Sequence, residues 1–260
     1  MLFGEFKIFR KKAIDTVFFN RKNPLSWLLN SCAEAQLIFD VGANVGQSAK
    51  ELKTLFPNST LHCFEPIPGP FRHLDDACRS LDNSFAHQLA LSDQVGSREF
   101  YVNTKYSPSS GFIKINNNSL SVIRNVHPKD GFNEAESVFD KIIVRTTTLD
   151  DFVSRNIKTT SRVNLLKIDT QGAECQVLAG AEKLLSRGLI DVILTEISLD
   201  QIFESNPSFG QIESFLGPRG YSLWDISHIY KDLKIGRTCW VDAIYVHESV
   251  VQRITSTQLR

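Results

Sequence analysis

Runs of apolar residues alternate with stretches of helical spacing, and this alternation lays out most of the chain. Leu37, Ile38 and Phe39 lead into Asp40 and Val41, glycines follow at Gly42 and Gly46, and apolar positions then recur at Ala49, Leu52, Leu55 and Phe56. That pattern predicts a strand, a tight turn and a helix. Thr60–Phe64 repeats the apolar run and ends in Glu65. Pro66 and Pro68 then enforce a turn, and Pro70 suits the first turn of a helix reaching about Leu81. Residues 85–91 read as a third strand ending at Ser92 and Asp93. Strands alternating with helices predict a parallel sheet with right-handed crossovers.

Residues 98–148 depart from this rhythm. Residues 99–102 and 142–147 are rich in β-branched and aromatic residues and predict an antiparallel pair, while residues 104–140 are rich in Asn, Ser, Gly and Pro. So long an irregular segment predicts an acceptor-binding loop, with Ser110, Asn118 and Ser119 as polar contacts. The alternation resumes with Val163–Ile168, ending in Asp169, and a helix with Val177, Leu178, Ala181, Leu184 and Leu185 on its apolar side. Residues 192–194 form the next strand, ending near Glu196. A helix around residues 212–216 and two strands, 221–226 and 241–247, close the chain as an antiparallel pair. Before all this, residues 1–36 combine Lys7, Arg10, Lys11, Lys12, Arg21 and Lys22 with an apolar stripe, and predict a helical cap or a peripheral membrane contact. The domain proper spans residues 37–250, and residues 251–260 form a tail.

A glycine turn between a strand and a helix brings bare backbone close to a ligand and aims the helix N-terminus at it. A side chain at Gly42 is expected to intrude on that ligand while sparing the fold. Glu65, about 20 residues on at the next strand end, stands where a nucleoside presents its ribose hydroxyls. A dinucleotide site would show Gly-x-Gly-x-x-Gly, whereas here Ala43, Asn44 and Val45 separate the glycines. Asp40-x-Gly42-x-x-x-Gly46 followed by Glu65 looks like the S-adenosylmethionine site of a class I methyltransferase, with Asn44 in its turn and Leu91, Ser92 and Asp93 at the level of the adenine. Asp169 and Glu196, at two further strand ends, are expected to face the same crevice.

Charge narrows the partners. Lys plus Arg equals Asp plus Glu at 29 each, so no global basic field recruits nucleic acid. Cys32, Cys63, Cys78, Cys175 and Cys239 are odd in number and scattered, and read as reduced thiols of a cytoplasmic protein. No leader opens the chain and no apolar run is long enough to span a membrane.

Several motifs together resemble the FkbM-type methyltransferases: Ile38 to Gly46, Phe64-Glu65-Pro66, Ala90-Leu91-Ser92-Asp93, Thr147-Thr148-Leu149-Asp150-Asp151, Leu166 to Glu174 and Leu178-Ala179-Gly180-Ala181. The likeness covers about residues 37–247 and is most specific in the Asp169 block, where many members carry Glu at the position of Gln171. It implies an α/β fold, a doubly wound, mostly parallel seven-stranded Rossmann-like sheet with an antiparallel last hairpin. It also implies O-methylation of a hydroxyl on a sugar, glycan or natural product, with Gln171 near the acceptor. An alcohol needs its proton removed, and Asp169 is the first candidate base, with Glu196 and His228 as alternatives. A cation held by Asp169 and Glu196 is a variant, disfavoured because two acids with no third of distinctive spacing make a poor metal site. An NAD-dependent oxidoreductase and a non-catalytic scaffold are the rival classes.

Overall fold

A computed structural model of the chain describes residues 36–104, 107–116, 118–119, 139–157, 162–233 and 235–258. Of the expected N-terminal cap, all but Gln36 lies outside them. The first apolar run forms β1 (Leu37–Val41), buried throughout, and the helical spacing after it forms α1 (Gln47–Leu55). β2 (Thr60–Phe64), α2 (Pro68–Arg79) and β3 (Ser84–His87) follow. Pro68 occupies the first helical position, where a missing N–H costs nothing.

The single strand expected over residues 85–91 divides. Leu89 N–H donates back to the His87 carbonyl at 2.9 Å, turning the chain, and β4 (Ala90–Leu91) leaves the main sheet. A side sheet of order β4-β6-β5 results, in which β5 (Gly96–Asn103) and β6 (Phe139–Thr147) pair antiparallel with Glu99 opposite Ile143, as the sequence predicts. From there α3 (Leu149–Asn156) starts under a Thr148 cap, whose hydroxyl accepts from Asp151 N–H at 3.0 Å, and leads the chain back to the main sheet.

In that sheet β7 (Val163–Ile168) lies on the side of β1 away from β2, followed by β8 (Ile190–Ser198), β10 (Arg237–His247) and β9 (Tyr221–Asp232). The order is β3-β2-β1-β7-β8-β10-β9, with β10 antiparallel to both its neighbours. β9 slips register against β10 at three points. The one helix expected through Val177 and Leu185 is two, α4 (Glu174–Ala179) and α5 (Glu182–Ser186). They break at Gly180, which passes so close to the Ser92 carbonyl oxygen that a Cβ could not fit.

Helices cover both faces. Phe39, Phe64, Leu166 and Tyr245 pack on one side with α3, α4, α5 and α6 (Phe209–Leu216), while Ile38, Leu61, Leu165 and Ile244 pack on the other with α1 and α2. On this second face α7 (Glu248–Gln258) adds Val250 and Ile254 to the core, so the segment expected as a tail from residue 251 starts inside a packed helix. Each large side chain buried in this way contributes roughly 1.5 to 3 kcal/mol. β1 and β7 are adjacent, yet the chain leaves them toward opposite edges of the sheet. Between their carboxyl ends opens the crevice where α/β sheets bind ligands.

Candidate functional site

A cavity of about 580 Å³ occupies that crevice, within the usual size range of small-molecule sites. Its first wall is the β1 turn. Asn44 takes a left-handed conformation (φ 48°) between Gly42 (φ 84°) and Gly46 (φ 86°), and its side chain donates to Ser107 Oγ at 3.3 Å. Gly42 and Asn44 line the cavity, while Gly46 faces α2, where a Cβ would meet Ala77 Cβ at 3.0 Å. Gly42 also answers to the fold, because a Cβ there would strike the Asp169 carbonyl oxygen. The expectation that a side chain at Gly42 disturbs only the ligand is thus corrected: the glycine lets β1 and β7 end side by side.

Asp40 does not reach the cavity. Fully buried, it accepts from Ser48 Oγ at 2.5 Å and pairs with Lys167 Nζ at 3.2 Å. Lys167 also stands 3.5 Å from Asp169 Oδ2. Burial alone would depress this ammonium, but Asp40 and Asp169 more than reverse the effect and raise its pKa. Glu65 is 4% exposed and lines the cavity, its Oε1 accepting from Ile67 N–H at 2.8 Å. Burial lifts its pKa to about 7 against the opposing pull of the Ile67 and Asn44 amides. Glu65 is therefore a buried carboxyl on the cavity wall whose ionised form any added hydroxyl donor would favour.

Opposite Glu65 the Asp169 block makes a second wall. Glu174 Oε1 accepts from Thr170 N–H, Thr170 Oγ1 and Gly172 N–H at 3.1, 3.1 and 3.2 Å, folding residues 169–174 into a tight loop. The loop throws Gln171 into the left-handed region (φ 56°), and its Nε2 reaches Asp169 Oδ1 at 2.8 Å and Glu196 Oε1 at 3.4 Å. Asp169, Gln171 and Glu196 all line the cavity, joined by Trp240 and Asp242 from β10. Asp242 lies directly opposite Glu196 in the antiparallel register. Burial, then the charges of Asp169 and Asp242, push the Glu196 carboxyl well up, and burial and Asp169 push Asp242 up to about 6.

Described residues of the insertion line one side of this chamber. Tyr101 and Gly111 bridge, Asn116 N–H donates to the Ile202 carbonyl at 2.7 Å, and Ser110, Phe112 and Phe203 line the wall. Of the other residues expected at the site, Leu91 lines the cavity and the rest lie off it. Arg98 gathers Ser92 and Asp93 at 2.8 and 2.9 Å, together with Gln176 at 3.2 Å. Asn118 is exposed, Ser119 Oγ donates to Asp200 Oδ2 at 3.1 Å, and half-exposed His228 lies 3.9 Å from Asp242 behind the wall. Sequence reasoning missed Lys167 and Asp242. Only the positions of Lys167 next to a strand-end acid and of Asp242 in an apolar strand hinted at them.

Among the described residues no group of three or more His, Cys, Asp or Glu is arranged to hold a metal ion. Nor is any helix among them long and apolar enough to cross a membrane. Cys63, Cys78, Cys175 and Cys239 are free thiols.

Comparison with known proteins agrees with the geometry. A family model described as the methyltransferase FkbM domain matches residues 40–223. The 2-O-methyltransferase NoeI of Sinorhizobium fredii (strain NBRC 101917 / NGR234) is 32% identical over 197 residues, 71% of this chain and 75% of that protein. Methyltransferase 1 of Beauveria bassiana (strain ARSEF 2860) is 27% identical over 194 residues, 72% of each chain. The 31-O-demethyl-FK506 methyltransferase FkbM of Streptomyces tacrolimicus is 30% identical over 157 residues, 56% of this chain and 59% of that one.

Proposed function

The chain belongs to the methyltransferase FkbM domain family, and on that premise we propose that it moves a methyl group from S-adenosylmethionine to a hydroxyl oxygen of a sugar, glycan or other natural product. It is an S-adenosylmethionine-dependent methyltransferase. The names of two relatives, a 2-O-methyltransferase and a 31-O-demethyl-FK506 methyltransferase, support oxygen as the acceptor atom. One structural observation carries the reading: a single cavity joins Glu65 to Asp169, Gln171, Glu196 and Asp242.

The residues present fit the cofactor. Gly42 and Asn44 offer backbone without bulk, Glu65 offers a buried carboxylate to ribose hydroxyls, and Ile67 and Leu91 offer apolar surface. When bound, S-adenosylmethionine supplies an electrophilic methyl group on a sulfonium leaving group. The chain's own task is to hold an acceptor oxygen in line and to keep water out. Asp169, with Oδ1 held by Gln171 and Oδ2 facing Lys167, is a fixed acceptor of hydrogen bonds suited to orienting that hydroxyl. Phe112, Ile202 and Phe203 close the apolar side.

Incubation with S-adenosylmethionine carrying an isotopically labelled methyl, across sugars, glycolipids and polyketides, tests the proposal by mass spectrometry. One labelled methyl on oxygen is expected. Transfer to nitrogen or carbon, or binding of NAD in place of S-adenosylmethionine in parallel titrations, would overturn it.

A further inference from the structure

The cavity holds more acid than its one lysine can balance. Asp169 comes from the end of β7, Glu196 from β8 and Asp242 from β10, and Lys167, the cation facing them from β7, is shared with buried Asp40. Glu174 adds its charge from α4, and His228 approaches Asp242 from β9 at 3.9 Å. The three cavity carboxyls are not equivalent. Asp169 is engaged by Gln171 and Lys167, whereas Glu196 receives only the longer 3.4 Å approach of Gln171. Glu196 and Asp242 stand side by side across an antiparallel pair, where facing side chains lie about 4.5 to 5.5 Å apart at Cβ.

We propose that Asp242, paired with Glu196 across β8 and β10, takes the acceptor's proton, and that this pair gives up the proton it holds when the positively charged cofactor enters the cavity. The inference rests on the methyltransferase reading and adds to it a catalytic residue and a device that arms it. In the unliganded chain burial and mutual repulsion keep a proton on the pair, Asp242 being raised to about 6 and Glu196 further. Asp242 and Glu196 share that proton as a coupled pair, so its loss belongs to both. A sulfonium within the same low-dielectric chamber favours their ionised forms. The acceptor O–H bond then breaks as the new O–C bond forms and the C–S bond opens. Asp242 receives the proton, which restores the resting pair, and that proton leaves to water, beside half-exposed His228, when the next cofactor enters. The base is ready only when the methyl donor is present, and loss of the positive charge on transfer lets the pair take a proton again.

Calorimetry of the native chain near pH 6, repeated in buffers of different ionisation enthalpy, counts protons released on binding. Ribose binding to Glu65 releases the same share of a proton for either ligand, and S-adenosylmethionine should release about half a proton or more beyond what S-adenosylhomocysteine, whose sulfur is neutral, releases. The ratio of the affinity for S-adenosylmethionine to that for S-adenosylhomocysteine should rise with pH, by up to about tenfold per unit, and level off once the pair has given up its proton. Asp242→Asn should remove at least half of the difference in release between the two ligands, with a melting temperature showing that it is folded. Equal proton counts for the two ligands would overturn the proposal while leaving the cofactor assignment intact. If neither ligand binds, the methyltransferase reading itself fails.

Discussion

Gly42 and Asp169 touch through space that only a glycine leaves: a Cβ on Gly42 would lie far inside contact distance of the Asp169 carbonyl oxygen. Beside this contact, Asp169 N–H donates to the Val41 carbonyl at 2.9 Å. The glycine turn after β1 and the carboxyl end of β7 are thus one object. Gly42→Val should part β1 from β7 and cost stability together with binding. A melting temperature several degrees below that of the native chain, alongside lost cofactor affinity, is expected by differential scanning fluorimetry and calorimetry. A variant that melts like the native chain would refute the contact.

Glu65 carries two opposite consequences. Glu65→Gln keeps an oxygen for the Ile67 N–H but loses the charge offered to the ligand, so affinity for S-adenosylmethionine should fall by about tenfold or more, at 1.5 to 3 kcal/mol per charged bond. Because burial raises this carboxyl to about 7, the native unliganded chain gives up stability as pH rises from the ordinary carboxylate range through 7. The glutamine variant does not titrate there. It should therefore bind more weakly and, at pH 8, melt higher.

At Gln171 the amide donates to two carboxylates at once. Gln171→Glu would set a third carboxyl against Asp169 and Glu196. The new group would be raised, so its stability is present at low pH and lost as pH rises. We expect a variant close to native at pH 5 and weaker by roughly 1 to 3 kcal/mol at pH 8 in urea titrations. Equal deficits at both pH values would show that the amide protons do not matter.

On the face packed by α3, His62 and His87 lie with ring nitrogens 2.9 Å apart among Phe39, Phe64 and Phe152. Burial lowers both to about 4. The fold therefore favours their neutral forms, and the stability this provides is present above pH 6.5 and lost as pH falls toward 4, at up to about 3 kcal/mol each. His62→Phe with His87→Phe should flatten the acid limb of stability between pH 6.5 and 4, read by thermal melts. An unchanged limb would place acid sensitivity elsewhere.

Much of this was legible in advance where physics acts locally. β1, β2 and β7 are apolar runs ending in acids, and their order and direction follow from the βα rhythm. The placement of Glu65, Asp169 and Glu196 on the cavity wall follows from the rule that strand ends face the crevice. Lys167 and Asp242 were hidden because their meaning is relational: a lysine in an apolar strand matters only when Asp40 and Asp169 flank it. Asp242 sits at a polar position in its strand, and its nearness to Glu196 appears only in the register of β8 and β10. Gly180 reads as part of a helix until the passage of Ser92 shows why the helix must stop.

The register slips of β9 bear on how the molecule behaves in a crowd. β9 is a twelve-residue strand on an open edge of the sheet, with Trp224, Ile226 and Ile229 exposed. A regular edge of that length and composition would be a template on which another chain could add a strand. The slips break the even spacing of its N–H and C=O groups and twist it away from a flat approach. The opposite edge, β3, is only four residues long. Among the described residues neither border of the main sheet offers a long straight row on which fibrils could grow, which lets the apolar side chains of β9 face outward at a lower risk of drawing copies of the protein together.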